Sequence, residues 1–328
     1  MWVFLIRRML NTIPILLGVS LVTFFLMSMA PGGYLDTLSQ NPQVSPETIA
    51  RLKAQYNLDK PWYVQYFAWL KSAVRLDFGY SVQYQIAVTD LIGGRVWNTF
   101  VLSACAFVLA WLVAVPLGIL AAVKRGSFVD RGSSVVAFAG LSIPEVLSAL
   151  LALMFAAATK DSLGLPIGGA QSSLYDFMSP GDQFIDRVKH LILPVLVLAS
   201  VEMAAIMRQM RSNLLDTLNA EYVTAARARG GGEFTVIVKH AVRTAINPLL
   251  TLLGYSLARL LSGAFIVENV MAWPGLGRLT MEAFFAKDYY LVVTTVVMAA
   301  GLLVVGNFIA DVLLAWSDPR IRMEGKRS

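Results

Sequence analysis

Residues 96–123 read VWNTFVLSACAFVLAWLVAVPLGILAAV, a stretch that contains no Asp, Glu, Lys or Arg. A helix needs about 20 apolar residues to cross the ~30 Å hydrocarbon core of a bilayer. The stretch is long enough to do so. Because lipid offers the backbone no hydrogen bonds, a single segment that crosses it must be helical. Residues 96–123 therefore predict a transmembrane helix.

Five further stretches have the same character. Two carry no charge, and the other three carry one charged residue each, namely Glu145, Glu202 and Arg259. Together the predicted spans are residues 9–30, 96–123, 132–159, 191–207, 244–267 and 289–310. These spans predict an all-α membrane protein with six transmembrane helices in a single transmembrane domain covering residues 1–328.

Composition agrees with a membrane protein and excludes several other classes. The 328 residues are 57% hydrophobic and only 15% charged, against about 25% charged in soluble domains. The mean hydropathy is +0.63. Such a chain is too apolar for a disordered protein, and its single cysteine, Cys105, excludes an internal disulfide framework.

Basic residues predict the orientation of the spans. With both termini in the cytoplasm, the cytoplasmic segments carry more than half of the 27 Lys and Arg residues. An excess of positive charge on that side is the usual pattern in membrane proteins. Topology thus accounts for the net charge of +6, and we expect membrane lipid rather than nucleic acid around the chain.

The first outer loop, residues 31–95, is too long for a simple connector. Ser45-Pro46-Glu47 has the order of N-cap, first-turn proline and early acid that begins a helix. A second helix is predicted from Pro61, with a mainly aromatic stripe on one face formed by Trp62, Tyr66 and Trp69 together with Ala73. We expect a small folded element here, either a docking surface for a partner or a cover for helix ends.

The inner loop, residues 208–243, is the most informative segment. Strong helix formers at residues 221–229 predict a short helix. The glycine triplet at residues 230–232 should end it, and a second helix should follow and run to Pro248. A short helix of this kind can insert into a groove on a cytoplasmic partner. The alternative is a solvated basic loop.

Spacing within this loop resembles that of the inner-membrane permease subunits of ABC importers. Their EAA-type loop has two small residues and then a glycine four positions on, as at Ala225, Ala226 and Gly230. Thr224 stands where that family has Glu. Both this Thr224 and the later His240-Ala241-Val242-Arg243 depart from the general pattern of the family. In these departures the loop resembles one subgroup, the dipeptide, oligopeptide and nickel permeases.

Other blocks extend the resemblance over nearly the whole chain and favour the B-type permease with the long first periplasmic loop. They are Arg7-Arg8, Ala30-Pro31-Gly32, Asn57-Leu58-Asp59-Lys60-Pro61, Asp77-Phe78-Gly79, Pro116-Leu117-Gly118, Lys124-Arg125-Gly126, Glu268, Trp273-Pro274-Gly275-Leu276-Gly277-Arg278 and Asp318-Pro319-Arg320-Ile321-Arg322.

The resemblance implies a type I ABC importer permease fold in the bacterial inner membrane, with both termini cytoplasmic. It implies a homologous second permease subunit, two ATP-binding subunits and a substrate-binding protein that is periplasmic or lipid-anchored. Peptides are the expected substrate. It also assigns ATPase coupling to the inner loop, at Glu221, Tyr222, Ala225, Ala226, Arg227, Arg229, Gly230, His240 and Arg243.

No catalytic or metal site is expected in this chain, and no cofactor. It lacks a GxxxxGK[ST] phosphate loop, since Gly325-Lys326 is followed by Arg. It has only two histidines, His190 and His240, and no HExxH or GxSxG motif. ATP and Mg²⁺ would therefore be bound by the partner ATPase subunits.

Charges within spans are costly and mark functional candidates. Glu145 follows Pro144 and either lines the translocation pathway, meeting a substrate amine, or partners a polar group on a neighbouring helix. Arg259 either pairs with Glu145 or faces a substrate carboxylate. Glu202 lies near the inner end of its span and is expected to be structural.

The main alternative is a secondary transporter driven by an ion gradient. It would need a coupling-ion site and often shows inverted repeats, neither of which is evident, and it would leave the inner loop unexplained. Within the importer interpretation, a nickel chelate, glutathione or a sugar remains an alternative substrate.

Overall fold

The computed structural model describes residues 2–29, 39, 45–55 and 59–317. Within these ranges it is mainly helical, with one hairpin of two-residue strands, β1 (Tyr80–Ser81) and β2 (Ile86–Ala87), paired antiparallel. The helices are, in chain order, α1 (Trp2–Met29), α2 (Pro46–Gln55), α3 (Trp62–Ala73), α4 (Val88–Val123), α5 (Phe128–Ser142), α6 (Glu145–Ala158), α7 (Lys160–Leu163), α8 (Pro180–Leu218), α9 (Glu221–Ala228), α10 (Glu233–Thr235), α11 (Arg243–Ala245), α12 (Asn247–Thr251), α13 (Leu253–Val270), α14 (Leu276–Phe285) and α15 (Tyr289–Ser317). A π-helical turn, Val236–Val242, joins α10 to α11, and a 3-10 turn spans Tyr175–Phe177.

Four helices, α1, α4, α8 and α15, are long and apolar enough to cross a membrane. Two bent pairs also qualify when each is taken as one span: α5 with α6, bent by 108°, and Glu233–Thr251 with α13, bent by 51°. The described residues thus hold four to six candidate spans by length and composition. The six predicted spans correspond to these four helices and two pairs.

The bend between α5 and α6 lies at Ile143 and Pro144, where proline chemistry predicts a kink. Both residues have extended backbone, with ψ of 123° and 139°. Proline disfavours helical geometry in the residue before it and lacks the N–H that a continuous helix needs. Residues 132–159 therefore form two helices rather than one continuous rod.

Helix α8 extends well beyond the predicted span at residues 191–207. It begins at Pro180, where the Ser179 hydroxyl accepts a hydrogen bond from the Asp182 N–H, and it runs to Leu218. Apolar length locates only the part of a helix that fits in lipid, so caps set the true ends. Pro248, expected to end the second inner helix, instead lies in the first turn of α12, where its missing N–H costs nothing.

Contacts divide the chain into two units. The first unit comprises Met1–Phe100 and Pro274–Val304. Its predicted aromatic stripe is confirmed: Tyr66 and Trp69 of α3 are buried, with Phe24 of α1 in the same cluster. The Tyr66 hydroxyl lies 3.1 Å from the Ser20 hydroxyl. The Ser45 cap is also confirmed, since its oxygen accepts from the Thr48 N–H at 3.2 Å.

The second unit comprises Val101–Trp273 and Val305–Ser328. Helices α5, α6 and α13 all pack against α8, which supplies more of the buried core residues of this unit than any other helix. Small residues permit close approach: a Cβ on Gly118 of α4 would lie 2.8 Å from the Met207 carbonyl oxygen of α8. The sequence blocks at residues 30–32, 57–58 and 318–322 lie outside the described residues.

Candidate functional site

Helix α9 is held against the second unit by one face. Val223 is fully buried and Ala226 is 6% exposed, three residues apart and therefore on the same side of the helix. The helix ends one residue earlier than predicted, with Arg229 as its C-cap. Because Ala226 is small and Val223 is short and β-branched, α9 packs closely against the π-helical turn and α8.

Two glycines close the helix as the sequence predicts. Gly230 has φ of +81°, a left-handed conformation that other residues adopt only with strain. Its N–H donates to the Arg227 carbonyl at 2.9 Å, and the Gly231 N–H donates to the Ala226 carbonyl at 3.3 Å. This pair of bonds is the Schellman arrangement, which satisfies carbonyls at a helix end.

A salt bridge between Arg227 and Glu233 spans the turn after α9. Arg227 donates to Glu233 from Nε to Oε2 at 3.1 Å and from Nη2 to Oε1 at 2.9 Å. These hydrogen bonds lower the pKa of Glu233 from its ordinary value and raise that of Arg227. Glu233 was not predicted as a site residue, although it follows the glycine triplet directly.

The opposite face of α9 is open. Tyr222 is 44% exposed, and Glu221, Ala225 and Arg229 are also exposed. Phe234, just beyond the glycines, is 79% exposed. Exposed aromatic and Arg side chains are enriched on surfaces that meet another protein. We call residues 219–243 the α9 segment.

His240 and Arg243 lie further along the α9 segment. His240 is half-buried in the π-helical turn, and Arg243 is exposed at the start of α11. The His240 carbonyl accepts from the Thr244 hydroxyl at 3.3 Å. Among the described residues, neither side chain forms a hydrogen bond or an ion pair with α9, although the π-helical turn itself packs against that helix.

A second ion pair, not predicted from sequence, joins α5 to α8 near the α9 segment. The Asp130 carboxylate is 6% exposed and accepts from Arg211. Its Oδ2 also accepts from the Gly126 N–H at 2.9 Å. The signal that could have found it is Ser127-x-x-Asp130, a helix-start pattern in which Ser127 caps the Asp130 N–H.

A polar cluster lies among the helices α6, α8 and α13 of the second unit. The Arg259 Nε is 3.3 Å from Oε2 of Glu202, whose side chain is 5% exposed. The Ser256 hydroxyl donates to the other carboxylate oxygen of Glu202. Of the two alternatives for Arg259, the ion pair with Glu145 is not the one that the structure shows, because Arg259 lies against Glu202 instead.

Glu145 nevertheless faces the same region. Together with Arg259 and Glu202 it lines a cavity of about 470 Å³. A Cβ on Gly263 would lie 2.7 Å from Oε1 of Glu145, so the absence of a side chain at Gly263 makes room for the carboxylate. The structure thus brings both predicted pathway residues, Glu145 and Arg259, to one cavity.

Comparison with known proteins decides the family. Residues 114–323 match the family described as "Binding-protein-dependent transport system inner membrane component", and residues 1–103 match the description of its N-terminal part, "Binding-prot-dependent transport system membrane comp, N-term". The chain belongs to this family. It is an inner-membrane, multi-pass permease, as the sequence predicts.

Curated permeases of this family are similar over almost their whole length. The oligopeptide transport system permease protein AppB of Bacillus subtilis is 39% identical over 97% of this chain and 98% of its own. The dipeptide transport system permease protein DppB of Escherichia coli is 33% identical over the same shares. The resemblance to the dipeptide and oligopeptide permeases is confirmed.

A solved structure confirms the fold of this permease. A chain of the MetNI methionine ABC transporter, in an inward-facing conformation, matches with a TM-score of 0.54 over 70% of this chain and 96% of its own, at 19% identity. The type I ABC importer permease fold is therefore confirmed. The placement of both termini in the cytoplasm stays a prediction, as do the roles of the individual site residues.

Proposed function

We propose that this chain is the transmembrane permease subunit of an ATP-driven importer of peptides and forms half of the translocation pathway. The observation that carries this proposal is the match to oligopeptide and dipeptide permeases over 97% of the chain. Similarity that runs through every span and loop supports a shared transport role better than a shared fold alone does.

The energy source lies in other subunits. Because the sequence contains no phosphate loop, ATP and Mg²⁺ are bound by two partner ATP-binding subunits, and this chain needs no cofactor of its own. A homologous second permease completes the pathway. A periplasmic or lipid-anchored binding protein delivers the substrate, and membrane lipid surrounds the spans.

The α9 segment couples ATP hydrolysis to transport. Eight residues at 1.5 Å each make α9 about 12 Å long, a size that fits a groove on a soluble partner. Its buried face ties it to the membrane helices, while Tyr222, Ala225 and Arg229 meet an ATPase subunit. Movement of the ATPase pair is thereby passed to the spans.

Transport then follows alternating access. ATP favours the conformation in which the ATPase pair is closed, and it shifts the complex only to the extent that it binds that conformation more tightly. The Schellman turn and the Arg227–Glu233 pair make the end of α9 stiff. A stiff end supports transmission, since a compliant one would absorb the movement.

Glu145 and Arg259 line the pathway for the substrate. Both border the cavity of about 470 Å³ among α6, α8 and α13, and charged groups within membrane spans usually face such cavities.

Reconstitution of the complex into liposomes tests this proposal. The tagged chain is purified gently with its partner subunits, and uptake of radiolabelled trialanine, a nickel chelate, glutathione and a sugar is compared. We expect ATP-dependent uptake of trialanine that survives collapse of the proton gradient. Uptake that needs the gradient and ignores ATP supports the secondary-transporter alternative.

A further inference from the structure

The cavity among α6, α8 and α13 carries an unbalanced charge. Of the residues that line it, Glu145 and Glu202 are acidic and Arg259 is basic, and the remainder are uncharged. With both acids ionised, one negative charge has no counter-ion within the lining. A charged side chain in a membrane span costs free energy and is normally paired with an opposite charge. The excess negative charge therefore points to a cation that the lining residues do not supply.

Arg259 already has an anionic partner within the chain. Its Nε lies 3.3 Å from Glu202, a carboxylate that is itself nearly fully buried. Pulling Arg259 away to meet a substrate carboxylate would strand a buried negative charge, which is strongly unfavourable. The Ser256 hydroxyl donates to Glu202 from the same helix as Arg259 and holds this pair in place.

Glu145 is the carboxylate that is left over. Within the described part of the chain its side chain forms no hydrogen bond and no salt bridge, and Arg259 acts on it only through space. Gly263 leaves room beside it. The Oε2 of Glu202 is already occupied by the ion pair with Arg259. The cavity therefore offers one carboxylate, that of Glu145, which lacks donors among the described residues.

We propose that Glu145 is the ammonium-binding group of the translocation pathway. An ammonium group carries one positive charge and three donors, which matches both the missing charge and the missing hydrogen bonds. The cavity volume lies within the range of ordinary ligand sites. This inference rests on the proposed function and narrows it: the pathway recognises the amino end of a peptide, and Arg259 does not recognise the carboxyl end.

The single native cysteine permits a test by charge replacement. In a Cys105→Ser parent, Glu145→Cys places a thiol in the cavity, and methanethiosulfonate reagents then add either a sulfonate or a quaternary ammonium group. Ser148→Cys, one turn along α6, lies on a different cavity and serves as the matched control. Trialanine uptake and ATP hydrolysis without peptide are measured in liposomes containing the whole complex.

We expect Glu145→Cys to reduce trialanine uptake by about tenfold or more, as loss of a charge-assisted hydrogen bond implies. The sulfonate reagent should restore much of the uptake, and the quaternary ammonium reagent should not. Any change in ATP hydrolysis without peptide should be the same with both reagents. Ser148→Cys should respond alike to both reagents.

Equal effects of the two reagents on Glu145→Cys would overturn the proposal, since they would show that charge at this position has no role. A charge-dependent change in ATP hydrolysis without peptide would also overturn it, because Glu145 would then pair with a neighbouring subunit. Absence of ATP-driven trialanine uptake by the Cys105→Ser parent is a different result, which contradicts the proposed peptide import itself.

Discussion

Arg211 donates two hydrogen bonds to Asp130, from Nε to Oδ1 at 2.6 Å and from Nη2 to Oδ2 at 2.9 Å. This bidentate geometry joins the start of α5 to the part of α8 that lies beyond the predicted span. The α8 backbone continues from Arg211 to Leu218 and then into the α9 segment. The pair therefore links the membrane helices to the segment that we propose contacts the ATPase.

Asp130→Asn should destabilise the permease. Removing the charge leaves Arg211 without its carboxylate partner, and we expect a loss of about 2–3 kcal/mol. Thermal unfolding in detergent measures the effect. A double-mutant cycle with Arg211→Gln is the control: the double variant should be no less stable than the worse single variant. Additive losses would show that the two residues act independently.

Gly230→Val should uncouple ATP hydrolysis from uptake. A β-branched residue at φ of +81° carries about 1–3 kcal/mol of backbone strain, which distorts the end of α9 without touching the membrane core. The complex should assemble and hydrolyse ATP but import little substrate. Gly232→Ala is the matched control, because Gly232 has φ of −58° and no atom within 4 Å of its ideal Cβ position. Normal uptake by Gly230→Val would remove the coupling role of this turn.

The stability that the Arg227–Glu233 ion pair gives to the end of α9 should decrease as the pH is lowered. Because the hydrogen bonds from Arg227 lower the folded-state pKa of Glu233 below its ordinary value, Glu233 contributes stability that is present above the unfolded pKa and lost as the pH falls through the folded pKa. Hydrogen exchange at residues 227–233, corrected for its intrinsic pH dependence, should rise as Glu233 becomes protonated. Glu233→Gln should exchange fast at every pH. A wild-type rate equal to that of Glu233→Gln at neutral pH would contradict this role.

Gly263→Ala should disturb the polar cavity more than the fold. The added Cβ meets the flexible end of Glu145 at 2.7 Å and Cδ1 of Leu198 at 3.0 Å, so the side chains can shift while the helices stay packed. We expect roughly tenfold slower peptide uptake, since small displacements of a positioned group cost much rate, and little change in thermal stability. Gly132→Ala, with open space around its ideal Cβ, should leave both unchanged.

Local signals in the sequence predict much of this structure. The glycine triplet predicts the end of α9, Ser45 predicts the start of α2, and Pro144 predicts the break between α5 and α6. Each prediction succeeds because capping and proline geometry act within a few residues. The apolar stretches identify the spans for the same reason, since solvation by lipid is a property of each segment.

Pairing between segments is harder to predict. Sequence alone identifies Glu145, Glu202 and Arg259 as charges within spans, but the rotation of each helix decides which of them meet. Arg259 pairs with Glu202, and Glu145 stays apart. Asp130 and Arg211 were missed as a pair because they lie 81 positions apart and outside the apolar stretches. Ser127-x-x-Asp130 marks Asp130 itself as a helix-start residue, but no pattern at fixed spacing links it to Arg211 or links Arg259 to Glu202.

Cross-linking from α9 tests the central claim most directly. A photoreactive phenylalanine analogue replaces Tyr222 on the exposed face, and the same analogue at exposed Phe67 of α3, in the first outer loop, is the control. We predict that illumination of native membranes joins the Tyr222 variant, and not the Phe67 variant, to an ATP-binding subunit. Failure of the Tyr222 variant to capture that subunit, in membranes where the complex co-purifies intact, would contradict coupling through α9.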